Sequence, residues 1–262
     1  MHFNPAFTPA QILWTLTFAA LLVLLVVLLG RNRARLFPWF TASIVLMALR
    51  LLTSRMLLGK LPMFTMNAIF ITLADITALV GLMVVVEMAR RSFSGLPRQL
   101  WIVNGAGLLA LAGTVLAVWG PWPAWKTLTA DSHLATLRLM QMAAQKGDVL
   151  VTILTVGVGL LAVLFGSRYN AGWRSHAQRI LIGLSTAGIA QLALIVELQR
   201  IAKTAAPNTQ AELDRILAFR DNLINAESAV YVVVLVWWIV CLWIDEPGAN
   251  NEPAELPDGE TQ

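Results

Sequence analysis

Charge is scarce in this chain: only 13% of its 262 residues are Asp, Glu, Lys or Arg, while 58% are hydrophobic. A soluble domain carries nearer ~25% charged residues, so the composition excludes an ordinary water-soluble globule and makes the bilayer the main solvent. Cysteine is reduced to Cys241, which excludes an intrachain disulfide and a cysteine metal cluster. The histidines, His2, His133 and His176, fall outside the apolar runs, so paired-histidine haem ligation inside a bundle has no ligands. Lysine is confined to Lys60, Lys126, Lys146 and Lys203, all between apolar runs; a retinal Schiff base needs an intramembrane lysine and is excluded. No zincin helix or phosphate-binding glycine loop occurs, and Gly183, Ser185 and Gly188 are spaced wrongly for a nucleophile elbow. The sequence carries no catalytic constellation, so no enzyme is expected, and no cofactor or metal site either.

What is present is apolar length. Runs at 9–30, 37–58, 66–88, 100–119, 149–166, 179–201 and 223–244 can each cross a hydrocarbon core of ~30 Å as a helix, the form that satisfies its own backbone polar groups there. The expectation is an all-α membrane protein of seven transmembrane helices. Basic residues near span ends resist translocation. Arg31, Arg33 and Arg35 follow the first run, Arg90, Arg91 and Arg98 the third, and Arg168, Arg174 and Arg179 the fifth. These connections belong in the cytoplasm, which places the amino terminus outside and the carboxyl terminus inside. The first run has its positive charges after the apolar stretch, so it reads as a retained helix and not as a cleavable signal.

Residues 1–244 thus form the transmembrane domain. Residues 245–262 hold six acids and no base, a composition that cannot bury a core and reads as a disordered acidic cytoplasmic tail. The tail masks part of the body's positive charge, so the overall +4 records topology and gives no indication of nucleic-acid binding. Trp14, Trp39, Trp101, Trp119, Trp122, Trp125 and Trp243 lie near the expected interfaces, as amphipathic indoles do.

The outer side carries the most elaborate polypeptide. Thr209 and Glu212 have capping-box spacing, and no Pro or Gly follows before the last run ends, so one helix is expected over 210–244. Asp131 or Ser132 can start another through Leu137, Met140 and Ala144 into the fifth span, with Gly147 as a weak point. The two would project outward side by side, with Leu213, Ile216, Leu217 and Leu223 facing Leu134, Leu137 and Met140. Such stripes form either mutual packing or the wall of a vestibule.

Ionisable groups within spans are costly, at least ~2.5 kcal/mol each on insertion scales, and are functional candidates by default. Arg50 and Asp75 have matched depth near the outer side; Ser43, Arg50 and Ser54 share one face, and Asn67 lies two turns from Asp75 on its face. An Arg50–Asp75 ion pair is expected, serving either helix register or a binding site. Gln191, on a small-residue face with Gly183 and Ala187, and Glu227 join this intramembrane polar cluster. Arg55, Lys146, Asp148 and Glu197 read as ordinary interfacial residues, and Glu87 as a partner of Arg90 or Arg91.

Residues 31–40 read RNRARLFPWF, and Val86, Glu87 and Arg90 close the third run. In this inner arginine loop, aromatic-proline opening of the second span and glutamate closing the third, the first three spans resemble those of uncharacterised bacterial seven-span proteins. The resemblance implies a multi-pass protein of the bacterial inner membrane without a settled activity. The chain is also similar to the seven-helix input modules of bacterial histidine kinases, which implies a sensory role exercised through a separate cytoplasmic signalling protein. Three-one-three repeat carriers such as the SWEET sugar transporters share the topology. Such carriers hinge on prolines within helices, whereas Pro38, Pro62, Pro97, Pro121 and Pro123 lie at span edges or in loops. The leading expectation is a receptor-like module with a polar outward-facing pocket. A small-solute permease and a structural subunit packing other membrane proteins are the alternatives, with the lipid bilayer as partner in every case.

Overall fold

A computed structural model of the chain describes residues 8–57, 60–93, 97–118, 133–165, 175–204 and 209–245. Helix α1 (Pro9–Gly30) begins at a reciprocal capping box: Gln11 N donates to Thr8 Oγ1 and Thr8 N to Gln11 Oε1, both at 3.3 Å. Two of the backbone N–H groups orphaned at the helix start are thereby satisfied, and Pro9 needs no partner there. After Gly30 the chain turns through Asn32, whose φ of 54° is left-handed, a region asparagine tolerates. The single turn α2 (Arg33–Leu36) follows, and Pro38 opens α3 (Pro38–Met56). Then come α4 (Met63–Ser92), α5 (Arg98–Val118), α6 (His133–Phe165), α7 (His176–Thr204) and α8 (Gln210–Trp243). No strand occurs among the described residues.

Six helices are long and apolar enough to cross a membrane: α1, α4, α5, α6, α7 and α8. The second expected span, α3, is not among them; it has 19 residues and carries Arg50 and Arg55. The all-helical expectation and a multi-pass membrane protein therefore stand on six helices. Large apolar side chains face outward around the bundle, among them Val26, Leu164 and Val233, each about two-thirds exposed; such a surface suits acyl chains and would aggregate in water.

The helices form a closed ring in the order α1, α3, α4, α6, α7, α8 and back to α1, with α5 packed outside on α6 and with α4 also touching α7. The long α6 and α8 were expected side by side. They make no substantial contact, because α7 lies between them. Both are nevertheless continuous as anticipated. Thr209 Oγ1 accepts from Glu212 N at 3.2 Å to start α8. Gly147 is no break in α6: a Cβ there would sit 3.0 Å from Ala78 Cβ, so this glycine admits α4 closely.

Burial is uneven along the ring. Leu24 and Leu28 of α1, Phe40 of α3, Met88 of α4, Ile180 and Leu181 of α7, and Leu235, Trp238 and Leu242 of α8 are fully or almost fully buried, and all lie toward the arginine-bearing ends. There the Trp238 indole meets the edge of Phe40 at 5.1 Å and 87° and donates to Ile180 O at 3.2 Å. Glu87 Oε2 accepts from Phe40 N at 3.0 Å, so a side chain of α4 caps the first turn of α3, where the N-cap Phe37 has no side-chain acceptor to offer. Glu87 was expected to pair with Arg90 or Arg91; Arg91 does act on it electrostatically, but the cap is its direct contact. Asp245 closes this end, bonding Arg33 at 3.0 Å and Arg31 at 3.4 Å, while Arg31 lies 5.0 Å over the Trp243 ring.

Candidate functional site: a polar girdle in the less buried half of the ring

Close approaches between helices fix their relative levels. A Cβ at Gly188 would meet Val156 Cγ2 at 3.0 Å and Thr152 Cγ2 at 3.4 Å, and Ser185 Oγ donates to Thr155 O at 3.1 Å. These contacts bring Asp148 of α6 level with Gln191 of α7. On the other side of α7, Gly183 sits against Trp238 and Val234, and counting outward from there brings Glu227 of α8 to the height of Gln191. At 1.5 Å per residue, Asp148, Gln191 and Glu227 all lie about 22–26 Å from the ends of their helices at Phe165, His176 and Trp243. Three helices of the ring thus contribute polar groups at one depth.

Gln191 is held from both ends of its amide. Its Nε2 donates to Asp148 Oδ2 at 2.6 Å, and its Oε1 accepts from Thr152 Oγ1 at 3.3 Å. The same hydroxyl lies 2.8 Å from the Asp148 carbonyl oxygen one turn earlier, so a single turn of α6 clasps the glutamine. Charge–amide bonds of this kind are among the stronger hydrogen bonds. Glu227 is half-buried and close enough to Asp148 for the two carboxylates to repel, and Arg50 of α3 attracts the Asp148 carboxylate. The girdle therefore gathers Asp148, Gln191 and Glu227 on three helices, with Arg50 of α3 acting on Asp148 electrostatically while no salt bridge among the described residues joins the two. It can hold a small polar or zwitterionic group through charge-assisted hydrogen bonds. It holds no nucleophile activated by a base, and no group of three or more metal-binding side chains occurs among the described residues.

The expected Arg50–Asp75 ion pair is not formed; among the described residues no salt bridge joins them. Gly81 packs on Val151, and Gly147 on Ala78, a register that sets Asp75 about one turn further from the packed end than Asp148, while Arg50 is exposed and also acts electrostatically on Asp148. Asn67 is exposed about 12 Å further out along α4 than Asp75 and takes no part in the girdle. Gln191 and Glu227, both expected in the cluster, stand at one level with Asp148. Asp148, read from the sequence as an interfacial residue, is its centre. The available signal was local: Asp148 and Thr152 are one turn apart on the face that continues to Thr155.

The other residues read as interfacial make contacts away from the girdle. Glu197 pairs with Arg200 at 3.7 Å on an exposed surface, Lys146 Nζ donates to Leu116 O at 3.4 Å, and Arg55 lies 5.5 Å over the Trp14 ring. The last two contacts tie α5 to α6 and α3 to α1 at the rim opposite the packed end. Asp131, Ser132, Arg168, Arg174 and the acidic tail beyond Asp245 lie outside the described residues. No protein family, curated protein or solved structure matches this chain, so its own residues carry the functional reading.

Proposed function

We propose that this protein is a receptor-like, non-enzymatic seven-span module of a bacterial plasma membrane that admits a small polar solute from outside to the girdle of Arg50, Asp148, Gln191 and Glu227. One observation carries the reading: the ring is packed solid at its arginine-bearing end and polar in its opposite half. In this arrangement α3 is the seventh crossing. Its Arg50 carries an insertion cost of ~2.5–3.5 kcal/mol, eased by the electrostatic attraction of Asp148. The amino terminus lies outside, because Arg31, Arg33, Arg35, Arg90 and Arg91 cluster at the packed end. Asp75 and Asn67 line the approach to the girdle. Occupancy of the girdle is read at the inner face by a separate cytoplasmic signalling protein.

Thiol accessibility tests this in a Cys241→Ala background, with single cysteines introduced into the full chain. Cysteines at Thr53, Ala68 and Ser228, at or outside the girdle, react with an impermeant maleimide added to intact cells. Those at Ser43 and Leu82, on its inner side, stay protected in inverted vesicles. Labelling of Ser43 and Leu82 positions that changes with a solute, together with uptake of that solute into proteoliposomes, refutes the outward-only receptor and establishes a permease.

A further inference from the structure

Charge at the level of the girdle does not balance. Asp148 of α6 and Glu227 of α8 are close enough to repel. The bases of this half are spread elsewhere. Arg50 is exposed and forms no salt bridge among the described residues, Lys146 donates to Leu116 O, and Arg55 lies over the Trp14 ring. Asp148 is partly satisfied, its Oδ2 accepting from Gln191 Nε2 at 2.6 Å. Glu227 is not: among the described residues its carboxylate has neither a hydrogen bond nor an ion pair. One turn along the same face of α8 stands Tyr231, partly buried and near enough for the Glu227 charge to act on its phenol. Its hydroxyl also has no hydrogen-bond partner among the described residues. Leaving such groups unpaired in a spanning helix is costly, and a ligand that pairs with both removes that cost.

We propose that the solute taken by the girdle is a small protonated primary amine, an inference that rests on the receptor reading above and names its ligand class. The N–H groups of the ammonium donate to the Glu227 carboxylate, to Asp148 Oδ1, which Gln191 leaves free, and to the Tyr231 hydroxyl oxygen. Charge-assisted bonds of this kind are strong in a low-dielectric setting. An anion would meet two repelling carboxylates. A chelated divalent metal would need a third ligating side chain, and no such group of three occurs among the described residues. A zwitterion would have to draw on Arg50 for its carboxylate, so the role of Arg50 separates the two solute classes.

The test titrates the full detergent-solubilised chain with propylammonium, tetramethylammonium and sodium chlorides at equal ionic strength, and with glycine, and reads the thermal midpoint, which rises with occupancy of a folded-state site. Propylammonium is expected to raise the midpoint above the sodium salt; tetramethylammonium, with the same charge and no N–H, is not. Glu227→Gln weakens propylammonium binding at least about tenfold. Arg50→Gln removes a competing cation from an exposed position and tightens it about threefold; this variant decides the matter if Glu227→Gln fails to fold. Equal midpoints in the propylammonium and sodium salts overturn the proposal, as does equal stabilisation by tetramethylammonium or a Glu227→Gln variant that binds like the parent. Stabilisation by glycine that matches propylammonium and is lost in Arg50→Gln assigns a zwitterion and overturns it too. In detergent both faces of the chain meet solvent, so a failure here refutes the amine and leaves the outward receptor to the maleimide pattern on cells.

Discussion

Adding one methyl group at Gly183 tests the packed end of the ring directly. A Cβ built there overlaps the Trp238 indole nitrogen and lies 2.7 Å from its Cε2 and 3.0 Å from Val234 Cγ1. The indole cannot retreat freely, being 2% exposed, wedged edge-on against Phe40 and hydrogen-bonded to Ile180 O. Overpacking of this kind costs ~1–3 kcal/mol, and displacing the indole N–H from its acceptor adds ~0.5–1.5 kcal/mol. Alanine's better helix propensity returns about 1 kcal/mol. Gly183→Ala is therefore expected to destabilise the detergent-solubilised protein by roughly 1–3 kcal/mol, read as a lowered thermal midpoint. The smaller ring in Trp238→Phe vacates the space the methyl needs, so the double variant should lose less than the sum of the singles, a coupling that only neighbouring sites show. A midpoint for Gly183→Ala equal to or above that of the parent would refute the close approach of α7 and α8, as would strictly additive losses.

Two further perturbations separate structure from site. Glu87→Ala removes the acceptor for Phe40 N and is expected to lower stability by ~1–3 kcal/mol; Glu87→Gln, which keeps an oxygen acceptor, should recover most of that loss, and equal losses would show that the cap is not formed. In the girdle, a double-mutant cycle between Arg50→Ala and Asp148→Ala should show a stability coupling of roughly 1 kcal/mol or more, since each single change strands a charge in the membrane. The corresponding cycle between Arg50→Ala and Asp75→Ala should be additive, and coupling confined to the Asp75 cycle would reverse the assignment.

Helix existence was legible because it depends on local chemistry. Apolar length marked the helices, and Thr209 with Glu212 marked the start of α8. The absence of Pro through 210–243 meant that nothing interrupted α8. Adjacency was not legible. Leu213 and Leu217 of α8 carry the same apolar signal as Leu137 and Met140 of α6 whether or not the helices touch, and insertion of α7 between them depends on where glycines admit a neighbour. Gly147, read as a weak point, is instead a contact with Ala78. The same limit governed the site. Matching depth paired Arg50 with Asp75 on paper, but the register that separates Asp75 from Asp148 by about one turn is set by Gly81 on Val151 and Gly147 on Ala78, contacts between distant parts of the chain. Gln191 was found because an amide among small residues in an apolar run has few alternatives to a partner across the interface.

The distribution of small residues also bears on how the molecule can move. Glycines at 159, 183 and 188 bring α6, α7 and α8 together at distances where a methyl group would collide, and no proline lies inside these helices to act as a hinge. Opening the arginine-bearing end would separate Trp238 from Gly183 and Phe40 and expose Leu235 and Leu242 as well. Loss of close packing around several large side chains amounts to several kcal/mol, and interior packing of this kind switches between discrete arrangements more readily than it deforms. The girdle has no such constraint. Its Asp148–Gln191 and Thr152–Gln191 bonds can exchange for bonds to a polar solute with little loss of packing, because the surrounding outer half is incompletely buried. A solute competing for Asp148 would release the amide of Gln191 and shift the balance of contacts between α6 and α7. Helix α7 runs without interruption from Gln191 to the buried His176 and Ala177 at the opposite end. Within the proposed function, that helix is the shortest mechanical route by which an outer ligand alters the inner face while the packed end stays shut.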